Sequence, residues 1–136
     1  MTTYALNAPN AVDVVISWLR PRGQPCYATR KQGAPLPYRL VTRVAGSDAE
    51  LYADDAVISV HTFADTYTDA SDYADAGHVQ MLSLANDPSQ SITLSDSSVM
   101  SVQYLDVVQK PIHLDYEEPD VYRFVARYKV GIALTF

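Results

Sequence analysis

Near the C-terminus, from Val121 to Leu134, side chains alternate with a period of two. Tyr122, Phe124, Ala126, Tyr128, Val130, Ile132 and Leu134 fall on one side, and Arg123, Arg127 and Lys129 on the other. Successive side chains of an extended backbone point to opposite faces, so the pattern specifies a long strand with one buried and one charged face. Such a strand is not stable alone; it needs partner strands and a layer over its apolar side.

The remaining sequence supplies both. Val99 to Val108 reads as a strand that Ile112 to Tyr116 extends, and Glu117-Glu-Pro-Asp makes the turn of a long C-terminal β-hairpin. Leu36 to Val44 alternates Tyr38, Leu40, Thr42 and Val44 against Arg39, Val41 and Arg43, with Gly46-Ser-Asp as its expected turn. Ala56 to Phe63 follows, with Ile58 and Val60 opposite Val57, Ser59, His61 and Phe63, and its Val and Ile content suits the sheet interior. A short strand is expected at Ile92 to Leu94 within the polar stretch Asp87 to Ser98.

Two segments have helical period. Asn10 reads as an N-cap with Asp13 as its capping partner, and Val12, Val15, Ile16 and Leu19 recur at helical spacing until Pro21 and Gly23. From Asp65 to Ala85, Tyr67, Ala70, Ala74, Gly77, Met81, Leu84 and Ala85 gather on one side, opposite Asp65, Asp69, Asp72 and Asp75. Between the first helix and the first long strand, Gln24 to Pro37 carries four helix and strand breakers and reads as an exposed basic loop. The expectation is one α+β domain over residues 1–136: a mainly antiparallel sheet of four to five strands, with two helices packed on it.

At 136 residues the chain buries enough surface to fold without a metal or disulfide, and its single cysteine, Cys26, forbids an internal disulfide. No apolar run reaches membrane-span length, and the first residues lack a signal-peptide pattern, so a soluble protein without a membrane partner is expected. The net charge of −6 argues against gripping nucleic acid, which requires a basic patch.

That charge is segregated. Residues 1–43 hold six basic residues and one acid, residues 44–109 hold eleven acids and no Lys or Arg, and the remainder is balanced. A solvated surface normally interleaves its signs; this layout suits a ring in which one copy's basic part meets the next copy's acidic part. Arg39, Arg43, Arg123, Arg127 and Lys129, on the polar faces of strands, are candidate contacts between neighbours, with Asp54, Asp55 or Glu50 as their partners. The Tyr116-Glu117-Glu118 turn and the basic loop are candidate partner contacts, since exposed loops and tyrosines serve that purpose.

Enzyme signatures are weak. Cys26 has no local histidine, and His61, His78 and His113 lack metal-ligand spacing, so no metal or cofactor is expected and His61 and His78 read as packed, hydrogen-bonded side chains. Asp54, Asp55, Asp65 and Asp69 fall on a turn and a solvated helix face, which are not clefts. There is no GxGxxG, GxxxxGK or GxSxG. A small carboxylate or metal-dependent enzyme remains the rival from another class, and an acidic DNA mimic a third reading.

The first helix, the Pro-containing basic loop, Leu36-Pro-Tyr-Arg-Leu-Val-Thr-Arg-Val, and Val57-Ile-Ser-Val-His-Thr-Phe-Ala before an Ala-rich acidic helix resemble tail terminator proteins of long-tailed bacteriophages, particularly those of actinobacteria. The resemblance covers most of the chain from Asn10 to Leu134. It implies a non-enzymatic virion protein, assembled in the host cytoplasm, that forms a homo-hexameric ring on the head-proximal end of the tail tube. Such a ring stops tube polymerisation and offers a surface to the neck, so the implied partners are the major tail tube protein and the neck or head-closure protein. DNA would pass through without specific binding, and Asp65, Asp69, Asp72 and Asp75 would line the lumen or its rim, where carboxylates repel phosphate. Another neck component, such as a head-closure ring, is the alternative; a small β-barrel would favour it.

Overall fold

A computed structural model of the chain describes residues 10–29, 33–49, 53–86, 91–95, 97 and 99–133. The element order is α1 (Ala11–Leu19), β1 (Cys26–Tyr27), β2 (Tyr38–Ala49), β3 (Ala53–Ala64), α2 (Tyr67–Asn86), β4 (Ile92–Thr93), β5 (Val99–Met100), β6 (Val102–Leu114) and β7 (Tyr122–Ala133). Five strands form one sheet in the order β1-β2-β3-β7-β6, while β4 and β5 form a separate two-stranded ladder. All neighbours in the large sheet are antiparallel except β1, which runs parallel to β2. The α+β architecture, the two helices and the long C-terminal hairpin are as the periodicities require.

Both helices lie on one side of the sheet. Val14, Val15, Trp18 and Leu19 of α1 and Met81 and Leu84 of α2 enclose Val41, Ile58, Val60, Tyr128, Val130 and Ile132 in one cluster. Burying each such side chain contributes roughly 1.5–3 kcal/mol, so this interface holds the layers together. A second cluster, Ala64, Ala70, Ala74 and Phe124, seats the first half of α2 on β3 and β7. Its alanines let helix and sheet approach closely.

The helix starts are capped. Asn10 Oδ1 accepts from the backbone N–H groups of Val12 at 2.9 Å and Asp13 at 3.3 Å. The Asp13 carboxylate accepts hydrogen bonds from Ser17 and Ser95, so it ties α1 to the β4 segment. Thr66 Oγ1 caps α2, accepting from the Asp69 N–H at 3.1 Å.

Four sequence expectations need correction. Gly46 does not turn the chain: β2 continues to Ala49, with Gly46 opposite Ala56 and Ser47 opposite Asp55. The register shifts between Arg43 and Ala45, and residues 50–52, including Glu50, lie outside the described residues. Asp54 and Asp55 accordingly belong to β3 and not to a turn. Within the Pro-rich loop, Cys26 and Tyr27 pair beside Arg39 and Leu40, and Cys26 is buried. Finally, Val99 and Met100 leave the expected long strand to pair with Thr93 and Ile92.

Candidate assembly surfaces

The strand pairing fixes which side chains share the sheet face away from the helices. Across that face, Tyr38, Phe63, Arg123 and Leu114 form one row, Leu40, His61, Val125 and Ile112 the next, and Thr42, Ser59, Arg127 and Gln109 a third. Val57, Lys129 and Asp106 form a fourth. Among the described residues no helix covers this face.

Aromatic rings close one end. Tyr38 stacks on Phe63 at 4.9 Å between centroids, Tyr116 meets Phe63 edge-on at 5.1 Å, and Arg123 lies 5.4 Å from the Tyr116 ring. Arg123 Nη2 also donates to the Asp115 carbonyl at 3.0 Å. The expected partner contact Tyr116 is therefore half-buried within its own subunit, while Glu117 and Glu118 beside it are exposed. At the other end, Tyr104 lies over Gly131, where an added Cβ would fall 2.1 Å from the ring. Only glycine leaves room for that ring.

The β6–β7 half of this face is the open part. Ile112 and Leu114 are 44% and 37% exposed, unusual for large apolar side chains on a sheet, and Arg127 beside them is exposed. Lys129 Nζ lies 3.7 Å from Asp55 Oδ2, so the lysine expected to reach a neighbouring copy's Asp55 meets its own. His61 sits between these cations and the aromatic end. Burial, then the nearby Arg123 and Arg127, push its pKa down to about 4, and its buried Nδ1 has no hydrogen-bond partner among the described residues. It is packed as expected, but that nitrogen is not satisfied.

Arg39 is placed differently from the other strand cations. Its alternation with Val41 is as read, yet both face the helices, and Arg39 is 1% exposed. Its Nη1 donates to Gln80 Oε1 at 3.2 Å and its Nη2 to the Tyr73 carbonyl at 2.9 Å, both on α2. Gly77 makes room, since a Cβ there would come within 3.1 Å of the guanidinium. Arg39 thus locks α2 to β2 and offers a neighbour no surface. Arg43 is exposed.

On the opposite side of the molecule, α2 presents Asp69, Asp72, Asp75, Ala76 and Val79 to solvent, with Asp65 just before the helix. The acidic face read from the sequence is therefore real as an exposed stripe. Val79, 65% exposed, ends it with an apolar side chain. His78 turns inward instead, its Nδ1 hydrogen-bonded to the Tyr128 hydroxyl at 2.7 Å. Burial pushes the Tyr128 phenol pKa up, so that hydroxyl stays protonated.

Among the described residues, no three His, Cys, Asp or Glu side chains converge as metal ligands would. No described helix is long and apolar enough to cross a membrane.

No family model and no curated protein sequence matches the chain. A solved structure does: a chain of the "Virion of native gene transfer agent (GTA) particle" superposes with a TM-score of 0.61 at 16% identity, covering 96% of this chain and 99% of that one. The correspondence is one of fold, from end to end.

Proposed function

We propose that this chain is a structural, non-enzymatic virion protein, and specifically the subunit of a ring that terminates the tail tube of a long-tailed phage or phage-like particle. The observation that carries the reading is the end-to-end match in fold to a virion chain, with almost nothing left over in either. Two features of the monomer support self-assembly: an exposed apolar and basic sheet half, and an acidic helix stripe on the far side. A lone soluble domain requires neither. An open sheet with helices on one face also favours a terminator over a barrel-like head-closure ring.

In this role the ring binds the last layer of tube subunits, blocks further addition and joins the tube to the neck. DNA moves through the opening without being gripped, because a net charge of −6 per copy leaves carboxylates in excess around it. Two positions in such a ring suit the stripe Asp65, Asp69, Asp72 and Asp75: the wall of the opening, where it repels phosphate, or the seam between copies.

Tail length tests the role. Particles assembled without this chain are expected to carry overlong tubes of uneven length that fail to join heads, a defect restored by supplying it. Tails of normal length joined to heads would overturn the reading.

A further inference from the structure

We infer that the α2 stripe of one copy docks onto the β6–β7 half of the open sheet face of the next, making the seam of the assembly. This rests on the self-assembling virion reading and names its interface.

Charge and exposed apolar area together favour this pairing. The open sheet half presents exposed Arg127 between half-buried Arg123, which donates to its own Asp115 carbonyl, and Lys129, which pairs with its own Asp55, with Asp106 at the edge; the α2 stripe presents Asp69, Asp72 and Asp75. Two α2 stripes related by a two-fold axis would oppose carboxylate to carboxylate, whereas the sheet half offers the stripe the exposed Arg127. The stripe and the Arg127 face are different surfaces of unlike charge, so their contact is head-to-tail, and a head-to-tail contact with a closing rotation makes a ring.

Size and polarity agree. Asp69 to Val79 spans about 15 Å of helix, and Arg123 to Lys129 about 20 Å of strand. The helix stripe carries small side chains, which lets it lie close to a sheet, and Val79 and Ala76 at one end match exposed Ile112 and Leu114 on the other surface. Covering the sheet half removes that apolar area from water and gives Arg127, which is exposed in the monomer, a carboxylate within a partly desolvated contact. A helix on each side of the sheet is the layered arrangement that sheets with two apolar faces adopt.

The test is a charge swap. One variant carries Asp72→Lys and Asp75→Lys, the other Arg127→Glu, and far-UV circular dichroism and melting establish that each is folded. By native mass spectrometry, at the concentration where the unmodified chain forms its ring, each variant alone is expected to stay monomeric. An equimolar mixture is expected to recover assembly, with the two variants alternating in equal number. Variants that assemble alone as the unmodified chain does, or a mixture that fails to assemble while the unmodified ring forms, would overturn this seam and leave the virion role standing. An unmodified chain that forms no ring at any concentration, with or without tubes, would overturn both.

Discussion

Arg39 joins three parts of the molecule: its backbone N–H donates to the Pro25 carbonyl at 2.7 Å, and its guanidinium reaches Tyr73 and Gln80. Burial pushes its pKa down, so the surrounding acceptors must compensate the charge. A lysine there has a point-like ammonium that cannot reach both acceptors, leaving one buried and unpaired. Arg39→Lys is therefore expected to destabilise the fold by about 2 kcal/mol, read as a lower urea midpoint with unchanged slope. Sequence carried half of this residue's placement. Its alternation in phase with Val41 was legible, but a charged side chain on a strand reads as solvated until the acceptors on α2, forty residues away, are known. His61 is the converse case, a histidine whose apolar alternation announced burial but whose missing partner only the assembled sheet reveals.

At the scale of elements, helix boundaries were legible because caps and period coincide. Asn10→Ala removes the acceptor for two N–H groups at the start of α1 and is expected to cost about 1 kcal/mol, measured by thermal or chemical unfolding. The misread elements share a cause. Gly46 and the Pro-rich loop carry strong local turn signals, and in both places pairing with the next strand of the sheet prevails. The strand period told which side chains of β7 share a face; it could not tell that the face away from the helices would leave Ile112 and Leu114 exposed, because that depends on where α1 and α2 pack. The acidic stripe of α2 was legible for Asp69, Asp72 and Asp75, because amphipathic period determines it, whereas Asp65 precedes the helix and Tyr67, read as packed, is exposed.

For the whole molecule, acid should loosen the fold through its histidines. His61 has a folded-state pKa of about 4, below its unfolded value near 6.5, and His78 is also lowered by burial. The unfolded chain then binds more protons between those values, so stability is full above pH 6.5 and declines as pH falls toward 4. Melting temperatures recorded from pH 7 to 4 should fall, and His61→Gln should flatten that slope; an unchanged slope would remove His61 as its source.

We propose above all that copies of this chain tile head-to-tail around an opening at the end of a tail tube. Averaged electron micrographs of isolated tails, with the chain carrying a fused label, test it most directly. The expected image is a single labelled ring closing the head-proximal end of each tube, with a central hole continuous with the tube lumen. Label on the capsid surface, along the tube, or absent from the tail altogether would contradict it.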